Sequence, residues 1–197
     1  GFMDTEINNE LVGELLREVE SQVYSGDGTG LNLNGIFTQA TAFDATTAPQ
    51  AVDNANFVDV LRTGVTQIKI ANQSAPNYIM AHPTDVLGLM QIKRSSTDKA
   101  YIDALQLVAG QLSLDGIPII ETTLVTQGTY LIGDFTKATV YDNGSISVEV
   151  GRDSDDFTKN LITVLAEWRG LVVIKTNQTT AFVKGTIATD KAALEAL

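Results

Sequence analysis

Residues Tyr24–Ile36 read YSGDGTGLNLNGI, with Gly26, Gly28, Gly30 and Gly35 gathered around one acid, Asp27. Such a loop can cradle a phosphate, hold a calcium ion, supply a catalytic aspartate or turn a corner. No Lys-Ser or Lys-Thr pair follows it, and the element before it reads as a helix, so it is not a Walker loop. A dinucleotide-binding loop needs a strand before and a helix after, and the pattern here has neither. A calcium loop of the EF type needs oxygen ligands at alternate positions. Near Asp27 stand only Thr29, Asn32 and Asn34, with no glutamate at the closing position. Asp27-Gly28-Thr29-Gly30 is faintly like an aspartic-protease loop. That chemistry needs a second such loop, so that two carboxylates share a proton, and the sequence holds no second copy. The stretch reads as a corner between a helix and a sheet. Gly26, Asp27, Gly28 and Gly30 form its turn, with the glycines at φ values other residues resist and Asp27 as cap or brace.

The element before the corner is strongly periodic. Ile7, Leu11, Leu15, Val19 and Val23 recur every four residues, and the glutamates lie mostly off that stripe. This predicts an amphipathic helix of about five turns, with Asp4 or Thr5 as N-cap and Gly26 at its end. Beyond the corner, Ile36–Phe37 and Ala42–Phe43 read as short strands. A second helix is expected from about Asn54 to Asn72, with Phe57, Val60, Leu61, Val65 and Ile68 as its apolar face. Tyr78–Ala81 reads as a buried strand. His82-Pro83-Thr84-Asp85 reads as a helix start with proline in the first turn, followed by Val86, Leu87, Leu89, Met90 and Ile92. Lys93–Lys99 reads as a polar loop. Ile117–Ile120 and Tyr130–Ile132 read as strands. Asn143-Gly144 between Thr139–Tyr141 and Ile146–Val150 predicts a hairpin. Leu161–Lys175 reads as one long strand bent near Gly170, Ala181–Ile187 as a last strand or edge segment, and the tail as a weak helix or fraying end.

Helices and strands mix from 54 to 135, and strands dominate after 136. The expected class is α+β. Residues 1–53 and 136–197 would form one lobe, with 54–135 inserted as a second.

The chain has 197 residues, 44% of them hydrophobic, enough for one good core with an inserted lobe. The net charge of −11 argues against a protein that wraps DNA through a basic face. There are no cysteines, so disulfides and thiolate metal sites are excluded. The one histidine, His82, rules out a histidine-rich metal site and reads as a helix cap or a half-buried side chain. No metal or cofactor is expected. No apolar run reaches the ~20 residues of a membrane helix. Trp168, the only tryptophan, reads as core, and the acid-rich run Arg152–Asp156 as a solvated turn. Asn160 and Glu167, placed on one strand seven positions apart, would face opposite ways roughly 23 Å apart. They would cooperate only between chains.

Taken in order, several segments resemble the major capsid proteins of tailed bacteriophages, the Hong Kong 97-type shell fold. They are Gly26–Gly30, Leu33-Asn34-Gly35-Ile36 and Ala40-Thr41-Ala42-Phe43-Asp44, followed by Met80–Asp85, Gly116–Thr122 and Gly133-Asp134-Phe135. Asp156–Asn160 through Ala166–Arg169 and Thr180-Ala181-Phe182 complete the series. The resemblance spans Asn8 to about Thr186 and departs at His82, where the family more often has asparagine. It implies a coat subunit that assembles with its own copies, as pentamers and hexamers, into an icosahedral virion shell. That shell encloses double-stranded DNA without gripping a sequence, and its partners include scaffolding and other phage structural proteins. It implies no membrane and assembly in the bacterial host cytoplasm. The long helix would be the spine of a peripheral domain, and 54–135 an axial domain around the fivefold and sixfold axes.

The family's N-terminal arm and extended loop would precede this chain, which agrees with the abrupt start GFMDTEI. Without them the chain would be monomeric or weakly associated. One branch of the family welds its shell by an isopeptide bond from a lysine to an asparagine, with a glutamate as base. Asn160 and Glu167 match those two positions, while the lysine's segment is not in the chain. The alternatives are an encapsulin-like nanocompartment, which shares the fold, and an aspartyl hydrolase at Asp27.

Overall fold

The computed structural model describes residues 2–72, 75–93, 105–108, 111–144, 146–152 and 154–197. In chain order the elements are α1 (Phe2–Ser25), α2 (Ile36–Gln39), β1 (Thr41–Ala42), α3 (Phe57–Asn72), β2 (Tyr78–Ala81), α4 (Pro83–Met90), β3 (Leu105–Val108), β4 (Gln111–Leu114), β5 (Ile117–Glu121), β6 (Thr129–Gly133), β7 (Ala138–Asp142), β8 (Ser147–Gly151), α5 (Asp156–Lys159), β9 (Thr163–Glu167), β10 (Gly170–Ile174), β11 (Phe182–Thr186) and α6 (Ile187–Glu195). The mixture is α+β, as expected. The chain divides into two compact units. One is residues 1–38 with 139–173; the other is residues 39–138 with 174–197. These seams differ from those drawn at 53 and 135 because β11 pairs with β1 and β6, which ties 174–197 to the middle of the chain.

The larger unit is built on a seven-stranded mixed sheet in the order β1-β11-β6-β2-β5-β4-β3. β1 runs parallel to β11 and β2 parallel to β5, while the neighbouring pairs are antiparallel. The apolar face of α3 is the heart of its core: Val60, Leu61 and Ile68 are fully buried, and Phe57 and Val65 nearly so. Asn56 starts this helix. Its Oδ1 accepts from the Val58 and Asp59 amides, and Asp59 Oδ2 accepts from the Asn56 amide at 2.9 Å, a reciprocal cap. Tyr130 and Ile132 of β6, Val183 of β11 and Leu194 of α6 close around α3. The tail is therefore a docked helix rather than a fraying end. α4 buries Val86 and Leu89 but turns Leu87 and Met90 outward.

β3 and β4 occupy a stretch for which the sequence reading assigns no element. The β4–β5 turn is Asp115-Gly116, both at positive φ (50° and 85°), with Leu114 opposite Ile117. This is the two-residue hairpin geometry. Arg62 of α3 clamps it, Nε to Asp115 Oδ2 at 2.8 Å and Nη2 to Oδ1 at 2.9 Å. Arg62 beside it holds the Asp115 carboxyl below its usual range.

The smaller unit consists of α1, the glycine corner, α2 and a two-stranded ribbon. Helix α1 is already underway at Phe2, so neither Asp4 nor Thr5 stands at its start. Ile36–Phe37, expected as a strand, is one helical turn. The hairpin expected at Asn143-Gly144 does not form. β7 pairs with β10 and β8 with β9, so one pair is nested inside the other. Between them the Asn143 amide donates to the Arg169 carbonyl at 3.0 Å. Asn143-Gly144 is thus an interruption along one side of a ribbon, and the chain reverses at residues 152–162. The long strand expected over Leu161–Lys175 is broken at Trp168-Arg169, where it changes partner. The polar loop at Lys93–Lys99 lies, beyond Lys93, outside the described residues.

Candidate functional site

The glycine corner folds on itself. The Gly28 amide donates to the Leu33 carbonyl and the Gly35 amide to the Gly26 carbonyl, both at 2.9 Å, and Asp27 bridges Asn34. Asp27 Oδ1 accepts from the Thr29 amide and from Asn32 Nδ2 at 2.9 Å, and Oδ2 accepts from Thr29 Oγ1 at 2.8 Å. The Thr29 amide is the largest of the donors that hold this carboxyl below its ordinary range. A carboxylate saturated by local donors is kept ionised, the reverse of what proton sharing with a second acid requires.

The glycines are there for two reasons. Gly28 and Gly30 take φ of +72° and +61°. Gly26 and Gly35 have ordinary φ but no room. A methyl on Gly26 would stand 2.2 Å from the Leu33 carbonyl oxygen, and one on Gly35 would stand 2.5 Å from the Gly26 nitrogen.

His82 caps α4: its Nδ1 accepts from the Thr84 amide at 3.2 Å. Trp168 is half-buried rather than core, and its ring lies so close to Gly170 that a methyl there would meet it at 2.1 Å. Asn160 and Glu167 do not share a strand. Asn160 closes the single turn of α5 at φ 54°, its amide donating to the Asp156 carbonyl. Glu167 ends β9 opposite Ser147, with Arg169 Nη2 3.4 Å from its Oε2. The opposite-face geometry therefore has no basis. The residues are held apart by the length of β9, whose five residues span about 17 Å. Among the described residues, no cluster of three His, Cys, Asp or Glu could hold a metal. No described helix is long and apolar enough to cross a membrane.

What the smaller unit offers is surface. Fifteen large hydrophobic side chains are exposed among the described residues, and ten of them belong to this unit. They include Leu31 in the corner, Val140 and Tyr141 on β7, Val150 on β8, Leu165 on β9 and Leu171 on β10. Phe157, Leu161 and Ile162 crowd the reversal at 152–162. Beside Phe157, the Arg152 guanidinium carbon sits 5.1 Å from the ring centroid. An open groove of about 610 Å³ runs along α1. It is lined by Leu15, Glu18, Val19 and Gln22, by Leu31, Asn32 and Leu33, and by Ala166 to Gly170. Exposed apolar surface of this extent marks an interaction face.

The chain matches the Phage capsid family over residues 1–187. It is 31% identical over 189 residues to the major capsid protein of Enterobacteria phage HK97. That alignment takes in 95% of this chain and 47% of that protein, so the chain spans about half the length of that curated relative. A solved structure of Gordonia phage Cozz superimposes with a TM-score of 0.69 at 18% identity, over 93% of this chain and 63% of that one. The capsid of an empty GTA particle superimposes with a TM-score of 0.65 at 16% identity, over 93% and 66% of the two chains. At such identities the solved structures speak for the fold alone. With the family match running nearly end to end and a fold shared with phage shells, this chain belongs to the phage capsid family.

Proposed function

We propose that the chain is the shell-forming core of a phage major capsid subunit, which assembles with its copies into an icosahedral virion shell around double-stranded DNA. The observation that carries this is the alignment with the HK97 major capsid protein along 95% of the chain. Its acidic balance suits a wall that does not grip DNA. The concentration of exposed apolar side chains in the smaller unit fits a subunit whose surface is completed by neighbours. In this reading the smaller unit is the peripheral domain with α1 as its spine. The larger unit is the axial domain that meets its copies around the fivefold and sixfold axes. Scaffolding and other phage structural proteins are the further partners, and the host cytoplasm is the place of assembly. The nanocompartment alternative has no observation in its favour.

Asn160 and Glu167 serve structure in this reading: Asn160 ends α5 in a left-handed conformation that asparagine tolerates better than most residues. The test is electron microscopy of the full-length protein. Closed shells are the expected result, and a dispersed protein that never forms particles contradicts the reading. Denaturing gels of those shells should show single subunits, whereas a covalent ladder lost in Asn160→Asp would restore the welding chemistry.

A further inference from the structure

The chain holds two Asn-Gly pairs, Asn34-Gly35 and Asn143-Gly144, and the fold treats them oppositely. Asparagine followed by glycine is a chemically reactive pair. The glycine nitrogen can attack the side-chain carbonyl carbon of the asparagine and close a succinimide ring, because no β-carbon stands in the way. A fixed backbone prevents it. The side chain must swing over the next peptide group, and the N–H of that group must give up its proton. At the first pair the structure forbids both. Gly35 is buried, its amide donates to the Gly26 carbonyl at 2.9 Å, and Asn34 forms a bridge with Asp27. A methyl on Gly35 would stand 2.5 Å from the Gly26 nitrogen, so the backbone has no room to turn.

At the second pair these restraints are lifted. Asn143 and Gly144 are both exposed, in the break between β7 and β8. Gly144 takes φ of +78°, with nothing within 4 Å of the place a methyl would occupy. Its N–H donates not to a strand neighbour but to Asp142 Oδ1, at 3.1 Å. That carboxylate is an acceptor for the very proton the attack must remove. The tie to the rest of the ribbon is made by the Asn143 amide, which donates to the Arg169 carbonyl at 3.0 Å and lies upstream of the reacting atoms.

We infer that Asn143 is a site of spontaneous deamidation, with Asp142 as its base, and that Asn34 is not. The Gly144 nitrogen bonds to the Asn143 side-chain carbon as its proton passes to Asp142. The bond from that carbon to Nδ2 breaks, and Nδ2 leaves as ammonia with the proton that Asp142 returns. Water, the one co-reactant, then opens the succinimide on either side and leaves an aspartyl or an isoaspartyl residue at position 143. Either product adds a negative charge to a pocket of about 260 Å³ that Asn143 lines with Ser147, Glu149, Glu167 and Arg169. Two acids beside one cation there become three. The isoaspartyl form also adds a methylene to the backbone at the interruption of the ribbon. The chemistry belongs to the chain whether or not shells form.

The test is peptide mapping by mass spectrometry of the full-length protein after warming at neutral pH, with labelling by an isoaspartyl methyltransferase as a second readout. In the native protein Asn143 should convert to the aspartyl and isoaspartyl forms at least tenfold faster than Asn34. In urea the two sites should converge, since the fold no longer separates them. Equal rates in the native protein overturn the inference, as does an Asn143 that survives in the native protein and converts only in urea. Sites that stay apart in urea overturn it too, because the difference would then lie in the local sequence. Gly144→Ala puts a methyl into open space and should slow the native reaction at least tenfold, and an unchanged rate speaks against attack by the Gly144 nitrogen. Asp142→Ser keeps an oxygen for the Gly144 amide but removes the carboxylate. It should slow the native reaction at least threefold and leave the rate in urea nearly unchanged, and an undiminished native rate overturns the part given to Asp142.

Discussion

Gly35 and Gly30 sit five residues apart in the same corner, and replacing each with alanine should give very different results. At Gly30 the φ is +61° and nothing lies within 4 Å of the added methyl. The only cost is the left-handed conformation, about 1–2 kcal/mol. At Gly35 the conformation is ordinary, but the methyl lands 2.5 Å from the Gly26 nitrogen, 2.7 Å from the Ser25 nitrogen and 2.7 Å from the Tyr24 carbonyl oxygen. All three are backbone atoms at the end of α1, so no side chain can swing aside. Relief requires the corner to open, which weakens the Gly35–Gly26 and Gly28–Leu33 hydrogen bonds. Overpacking at about 1–3 kcal/mol and two hydrogen bonds at about 1 kcal/mol each put Gly35→Ala at roughly 3–5 kcal/mol. Trp168 is the only tryptophan and belongs to the same unit as the corner. Urea unfolding followed by its fluorescence therefore reads that unit, while far-ultraviolet circular dichroism reads the whole chain. The fluorescence midpoint should fall much further for Gly35→Ala than for Gly30→Ala. Equal shifts, or a larger one for Gly30→Ala, would refute the division of the glycines into two kinds.

Asp190 is buried, and its Oδ2 accepts from the Tyr130 hydroxyl at 2.7 Å. Burial, the dominant cause, raises its pKa above the ordinary value. A raised carboxyl contributes stability that is full below the unfolded pKa of about 3.9 and is lost as pH rises through the folded value. Asp190→Asn keeps an acceptor for Tyr130, so its stability relative to the parent should improve steadily above about pH 4 in urea titrations. A difference that does not change with pH would count against this. Arg62→Ala removes an ion pair whose partners are each half exposed. It should cost under about 1 kcal/mol, and less in high salt, despite the two-pronged geometry. Leu61→Ala empties a fully buried site under α3 and should cost about 2.7–5 kcal/mol, whereas Leu87→Ala, on the open face of α4, should stay within about 0.5 kcal/mol by thermal unfolding.

Local rules carried the helices. The four-residue stripe of α1, the apolar face of α3 and the His-Pro start of α4 are all written within one turn or two of chain, and each element stands where they point. Long-range pairing decided the rest. Asn143-Gly144 carries a strong hairpin signal, yet β7 and β8 find their partners in β10 and β9, about 30 and 15 residues downstream. Asp115-Gly116 makes the tight turn instead, because β4 and β5 belong side by side in the larger sheet and Arg62 reaches across to hold it. The β-branched run after Asn160 extends the strand pattern back onto it, whereas the single helical turn before it ends there. Asparagine before Leu-Ile could have signalled a left-handed stop. The exposure of Phe157, Leu161 and Ile162 has a simpler reason for escaping sequence: apolar residues read as core until the fold shows them uncovered.

The place of β11 sets a timetable for the molecule. β1 has one strand partner, and its residue Thr41 meets Val183, about 140 residues later in synthesis. β6 likewise waits for residues 182–186 to cover one of its two edges. At bacterial-scale translation rates, that is roughly 7–30 s during which a growing chain carries an unpaired strand edge. Such an edge is a template for the wrong neighbour. The smaller unit is held back in the same way, since α1 must wait for residues 139–173. The smaller unit has all its residues once 173 is made, and the larger only once β11 and α6 have followed. Protection of that strand edge during synthesis then decides how many chains reach the paired sheet rather than a wrong neighbour.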